Sequence, residues 1–370
     1  MIIFTLLVFV IILGLLIFVH ELGHFVVAKR AGMKVEEFGF GFPPKIFGIK
    51  KGETLYSLNL IPLGGFVKIL GEEGLSSDPR AFANGSFGHR LIVLLAGVLM
   101  NFFLGWFLLF LGFSVIGTPV QIAAGENLDH VSLSRDRLTI IAIQDKSPAE
   151  HAGFKNGDVI VSVDGKKISN IDELIQYNET HEGQKVTYEL GRGKQIVFRD
   201  VTPRVNPPAG VGPVGFEPAV IATAKYPLLQ SLKLSWDSFL YRFLGILGAL
   251  GSLFYKLVTT GRVVSGFSGP VGIAVLTQDV ARLGLVYLVQ FTAVLSINLG
   301  VINAFPFPAL DGGRVLFLFI EKIRGVKSLK LEQMANLIGF ALLLLLMVVV
   351  TFRDITRFSQ EFKRLFERIL

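Results

Sequence analysis

The sequence has no cysteine among its 370 residues, which excludes disulfides and thiolate ligands and leaves nitrogen and oxygen to hold any bound metal. Charge is scarce too: 18% of residues are charged against 51% hydrophobic, with 33 Phe and a mean hydropathy of +0.58. That balance is too apolar for an ordinary soluble chain of this length and points to a membrane protein. A clustered basic stripe is also missing. The net charge of +7 comes from Lys and Arg scattered through loops, which argues against nucleic acid and fits attraction to anionic lipid. The opening apolar run lacks a basic n-region and a small-residue cleavage site before "HELGH", so it is expected to be a retained helix rather than a signal peptide.

A membrane span needs about 20 mostly apolar residues. The opening run and residues 91–116, 285–305 and 335–352 qualify, so the expected fold is a multi-pass α-helical membrane protein with four transmembrane helices. Residues 233–258 are apolar at their centre but interrupted by Lys233, Asp237, Arg242 and Lys256, so they either span or lie in the interface. Residues 118–225 have a soluble character and resemble a PDZ domain. A strand leads into "SPAEHAG", then "GDVIVSVDG", the helix "IDELIQYN" and the hairpin "KVTYELGRGKQIVFRDVTP". Such a domain adds an extended peptide to a sheet edge beside a helix; a spacer with a filled groove is the other reading. Between the first two spans, "EEFGFGFPPKIF" reads as a hairpin and "IPLGGFVKILGE" as a second strand pair broken at Gly64-Gly65. Neither can build a core alone, so both are expected to pack on the helices or dip among them.

The expected division is 1–117 as the first half of a membrane core, 118–225 as the PDZ domain, 226–270 as an interfacial helix and linker, 271–352 as the second half, and 353–370 as an amphipathic tail. In that tail Ile355, Phe358, Phe362, Leu365 and Ile369 fall at helical spacing.

The chemistry starts at the end of the first span. On a helix His20 and His24 lie one turn apart on one face, a spacing that suits two ligands to one metal ion. Glu21 projects about 100° away and can reach a water without ligating, the arrangement of the H-E-x-x-H zinc hydrolases. Interfacial residues ending a span would account for one histidine, but not for all three side chains together. A catalytic zinc takes three protein ligands. His89, His130, His151 and His181 fall in loops or in the soluble segment, so Asp311 is the better third ligand. It sits in the Pro-broken, Gly-rich "NAFPFPALDGGR" directly after the third span.

Topology tests that pairing. If 233–258 stays in the interface, the third span returns to the face where the first ends, and Asp311 arrives at the depth of the histidines. If 233–258 crosses, Asp311 lies about 30 Å away. The loops on the histidine side carry Lys29, Arg30, Lys34, Lys45, Lys50 and Lys51, then Arg314, Lys322, Arg324, Lys327 and Lys330. The positive-inside rule makes that side cytoplasmic and the PDZ domain extracytoplasmic.

With "HELGH", "GFGF", "PLGGFVK", the PDZ-like segment, "SGPVGIA" and "NAFPFPALDGG" in this order, the chain resembles the bacterial site-2 proteases, intramembrane zinc metalloproteases, over nearly its whole length. The resemblance implies that His20, His24 and Asp311 bind Zn2+, that Glu21 activates water and that Asn303 holds the substrate backbone. It implies a membrane-re-entrant loop at Gly39, Phe40, Gly41 and Phe42, and a substrate-pairing edge strand at Gly64, Gly65, Phe66, Val67 and Lys68. Pro306 and Pro308 would help position the substrate. Implied substrates are single-span membrane proteins, such as anti-sigma factors or remnant signal peptides, pre-cut by another protease. The chain departs from well-known Gram-negative members in having room for one PDZ domain, not two. A helix–helix hydrogen bond is the alternative role for Asn303, and Gly97 and Asn101 are expected to serve helix contact alone. A peptide-binding scaffold with a degenerate metal site and a metal transporter remain the alternatives at the level of function.

Overall fold

The computed structural model describes residues 2–72, 74, 76–121, 132–168, 170–193, 195–207, 212–260, 269–326 and 329–357. Among these residues four helices are long and apolar enough to cross a membrane: Phe4–Arg30, Phe87–Ile116, Leu285–Ala304 and Lys330–Thr356. The chain divides into two compact units, one built from 1–109, 235–278 and 291–370 and the other from 110–234 and 279–290.

In the first unit α1 (Ile2–Arg30) is followed by β1 (Val35–Lys51) and β2 (Thr54–Ile69), then α2 (Phe87–Leu111). The two strands form one antiparallel pair, turning at Gly52 in the left-handed region, φ 63°. This differs from the two separate strand pairs expected. Register shifts fold the pair onto itself, so Gly39 lies opposite both Phe66 and Ser57, and Phe40 opposite both Gly65 and Leu58. Segment 37–40 is thereby sandwiched, and the outer side of Gly65–Ile69 has no strand partner among the described residues. Gly41, φ 82°, is held by Asn59, whose buried amide Nδ2 donates to its carbonyl at 3.0 Å. A side chain at Gly41 would also meet the backbone carbonyls of Asn59 and Ile61.

The unit continues with most of α5 (Leu228–Thr260), α6 (Pro270–Leu283) and α7 (Leu285–Ala304), then with α8 (Asp311–Arg324) and α9 (Leu329–Arg357). One core cluster packs Leu109, Phe239, Ala293, Ile297 and Val301, with Phe102 edge-on to Phe239 and Phe243. Charged pairs pin α8: Arg90 bonds both oxygens of Glu321 at 2.8 Å, and Arg314 pairs with Glu72. Helix α9 does not stop at residue 352 but continues to Arg357, so 353–357 extend the apolar helix; the remainder of the expected tail, with Phe358, Phe362, Leu365 and Ile369, lies outside the described residues. Asp354, 1% exposed, accepts from the amides of Gly269 (2.9 Å) and Gly272 (2.8 Å) and caps the start of α6. A carboxylate is favourable there because the first amides of a helix have no partner within it.

The second unit holds a seven-stranded sheet. Its strands are β3 (Thr118–Gln121), β4 (Ser132–Ile143), β5 (Val159–Val163), β6 (Lys166–Lys167), β7 (Val186–Arg192), β8 (Gln195–Val201) and β9 (Phe216–Lys225). The main order is β3-β9-β4-β5-β7-β8, with β6 beside β5. Helices α3 (Pro148–His151) and α4 (Ile171–Thr180) start where the sequence supplies caps: Ser147 accepts from the Glu150 amide at 3.2 Å, and Asn170 from the Glu173 amide at 2.7 Å. Leu138, Ile140, Phe154, Ile160, Leu174, Tyr188 and Leu190 fill its core. Buried Tyr188 donates to Asn178 Oδ1 at 2.5 Å and ties α4 to the sheet.

Candidate metal centre

Helix α1 brings His20 and His24 to one face, their rings 4.8 Å apart. A second element closes on them from α2. A Cβ built on Gly97 would stand 2.6 Å from His20 Cε1 and nearer still to His24 Nε2, so only glycine leaves the imidazoles their places. The same close approach makes Gly23 necessary on α1, where a Cβ would lie 2.5 Å from the Ala96 carbonyl oxygen. Each ring is then fixed through its Nδ1. His24 Nδ1 lies 2.8 Å from the Val93 carbonyl, and the side-chain amide of fully buried Asn101 lies 3.1 Å from His20 Nδ1. Asn101 is held in turn, since Ser296 Oγ donates to its backbone carbonyl at 2.7 Å.

Asp311 opens α8, directly after the turn that follows α7. A Cβ on Gly312 would collide with the carbonyls of Ala304 and Phe305, and one on Gly313 with that of Phe307, so "DGG" lets α8 start directly against the end of α7. Ala309, φ 72°, donates its amide to Asn336 Oδ1 at 3.0 Å, fixing the loop from α9. Gly339 packs on the Pro308 carbonyl.

The three side chains converge. His20 Nε2 and His24 Nε2 are 3.2 Å apart, and Asp311 Oδ2 lies 3.1 and 3.4 Å from them. A tetrahedral zinc with nitrogen and oxygen donors at about 2.0–2.1 Å spaces those donors by about 3.3–3.4 Å. The observed triangle fits that ion. Asp311 Oδ2 is buried with no hydrogen-bond partner beyond the imidazoles, the state of an oxygen whose missing partner is a cation.

Glu21 lies beside the hairpin: a Cβ on Gly65 would approach its Cγ to 3.1 Å and the Gly39 carbonyl to 3.2 Å. The hairpin glycines are spaces for neighbouring rings, Gly64 for Phe42 and Gly39 for Phe66, and the Phe40 ring rests on Gly14 of α1. Of the remaining sequence candidates, Asn303 sits half-buried in the last turn of α7, one residue before the carbonyl that presses on Gly312. Its side chain has no hydrogen-bond partner among the described residues. Pro306 is exposed and Pro308 half-buried in the turn. Sequence reasoning missed Gly97 and Asn101 as parts of this centre. Their four-residue spacing matches that of His20 and His24 and was the available signal.

Residues 8–346 match peptidase family M50. A Clostridium perfringens protein named as a zinc metalloprotease is 36% identical over 357 residues, covering 96% of this chain and 98% of its own. The regulator of sigma-W protease RasP of Bacillus subtilis is 31% identical over 436 residues, covering 95% of this chain and 98% of its own. Among solved structures, a PDZ domain of an SdrC-like protein from Listeria monocytogenes is similar at 20% identity, covering 24% of this chain and 92% of that chain with a TM-score of 0.21.

Proposed function

We propose, from the premise that the chain belongs to peptidase family M50 and is a zinc metalloprotease, that it cuts a peptide bond within or near the transmembrane segment of single-span membrane proteins. The observation that carries this reading is the convergence of His20, His24 and Asp311 donors at 3.1–3.4 Å beside Glu21. His20 Nε2, His24 Nε2 and Asp311 Oδ2 would hold the zinc. The ion would supply Lewis acidity toward the scissile carbonyl and make water a nucleophile at neutral pH.

The protein's own groups do the rest. An imidazole that binds metal through Nε2 carries its proton on Nδ1. The Val93 carbonyl accepts that proton from His24. At His20 the Asn101 amide stands with Nδ2 3.1 Å from Nδ1 and its Oδ1 buried without a partner, and a half-turn of the amide would set Oδ1 to accept the His20 proton. Both rings are then held in the metal-binding tautomer. A helical substrate must unwind before its peptide bond is accessible, and the unpaired side of Gly65–Ile69 can pair with the unwound strand. Glu21, directly beside Gly65, then faces the bond and shuttles a proton from water to the leaving amine. Asn303, its amide unpaired, would hold the substrate backbone.

The loop charges favour an active site toward the cytoplasm and an extracytoplasmic PDZ domain in a bacterial plasma membrane. The RasP relative, named as a regulator of sigma-W, supports anti-sigma factors as the substrate class, after a first cut elsewhere.

The test is Glu21→Gln in the purified chain, with bound zinc and cleavage of a helical membrane substrate measured together. The expected result is unchanged zinc content and a rate at least about 100-fold lower. Peptide binding with no cleavage by either form would replace the reading with a scaffold. Zinc flux into vesicles would replace it with a transporter.

A further inference from the structure

The second unit contains a cavity of about 560 Å³ between α4 and the start of β9. Its floor is apolar, with Leu174, Ile175, Val214 and Phe216. Strand β9 pairs with β4 throughout Phe216–Val220, whereas β3 covers only Ile221–Ala224 on the other side. Among the described residues the stretch Phe216–Val220 therefore offers an open strand edge beside a helix.

Carboxylates outnumber cations around this groove. Glu179, Glu182 and Glu217 line it, and the cation at its rim, Arg204, is turned to the lining Gln144 Oε1 at 3.2 Å and the Pro213 carbonyl at 3.4 Å. None of the three carboxylates has an ion-pair or side-chain hydrogen-bond partner among the described residues. Elsewhere in the same unit several carboxylates are matched, Asp158 with Arg192 at 2.6 Å, Asp200 with Lys185 at 2.7 Å and Glu173 with Lys166 at 3.1 Å, while Asp145 and Asp172 are single charges away from the groove rather than a group around it. Three uncompensated negative charges around one open strand edge repel acidic chains and favour cationic ones.

We propose that this groove binds an extended peptide segment carrying Lys or Arg side chains, added as a strand to Phe216–Val220, with the basic groups meeting Glu179, Glu182 and Glu217. The groove thereby selects substrates or adaptors by the charge of the segment outside the membrane. This rests on the strand-addition reading of the second unit and is independent of the metal chemistry.

The test uses the full chain as Glu21→Gln in lipid nanodiscs, so that bound peptide is not cut. Fluorescein-labelled, C-terminally amidated nonapeptides alternating Leu with Lys, Gln or Glu are titrated by anisotropy. The Lys peptide is expected to bind at least about tenfold tighter than the Glu peptide, and more weakly as salt rises. Each of Glu179→Gln, Glu182→Gln and Glu217→Gln should weaken the Lys peptide by about two- to fivefold, the range of a solvent-exposed pair. The triple variant should abolish the preference. A negative-control peptide with Pro at alternate positions, which cannot complete a strand ladder, should not bind. Equal binding of the Lys and Glu peptides, a preference that survives the triple variant, or no binding at all would overturn the proposal. Cleavage by the unmodified chain is scored separately, so failure of the groove leaves the protease reading intact.

Discussion

Replacing Gly97 by alanine tests the metal centre without touching a ligand. The new methyl would stand 2.6 Å from His20 Cε1 and closer to His24 Nε2, where carbon contacts settle at about 3.5 Å. One imidazole must therefore retreat by about 1 Å, or α1 and α2 must separate. Separation would give up the close packing of Gly23 on the Ala96 carbonyl. A metal site tolerates donor displacements of only about 0.2 Å, and an error of about 1 Å costs about 100-fold in related geometric settings. Zinc affinity of Gly97→Ala should therefore fall about 100-fold, near 2.8 kcal/mol. Competition against a fluorescent chelator reads the affinity, and thermal unfolding in detergent reports that the helices remain folded. Leu99→Ala is the control, since Leu99 is 54% exposed two residues along the same helix; it should bind zinc as the parent does. Parent-like affinity in Gly97→Ala would refute the placement of this glycine between the imidazoles.

Asn101→Ala removes the partner of His20 Nδ1 and should weaken zinc binding about 10- to 100-fold. Asn101→Asp keeps an oxygen acceptor and should restore most of that loss, a rescue that a purely packing role would not give. Tyr188→Phe leaves buried Asn178 Oδ1 without its donor and should destabilise the second unit by about 1–3 kcal/mol, read by hydrogen exchange across its sheet. Burial also raises the pKa of the Tyr188 hydroxyl. The unfolded chain then loses this proton first, so the stability it contributes is present below about pH 10 and falls as pH rises further. Tyr188→Phe should remove that alkaline slope.

Much of the centre was legible because its logic is local. His20, Glu21 and His24 declare themselves by helical spacing, and Asp311 is preferred because thiols are absent and it stands in the Pro-broken, Gly-rich stretch after the third span, with span parity agreeing if 233–258 stays in the interface. The partners on α2 were not legible. Gly97 and Asn101 look like the small and polar residues that any packed pair of membrane helices uses, and only the fold shows that imidazoles lie opposite them. The hairpin misled for a related reason. Gly64 and Gly65 read as a break in a strand pair and Gly39 as part of a re-entrant hairpin, yet these glycines make room for Phe42, Glu21 and Phe66, while the reversal occurs at Gly52. At the far end, Asp354 reads as one more charge in an amphipathic tail because nothing near it in sequence announces the amides of Gly269 and Gly272.

The anchoring of α6 by that carboxylate means that hydropathy is a poor guide to where this protein can be shortened. A cut after the last greasy residues, near position 352, would look harmless yet discard the clasp that secures a helix more than eighty positions upstream. Losing that inconspicuous end would be felt there first, as a loosened joint rather than a missing tail.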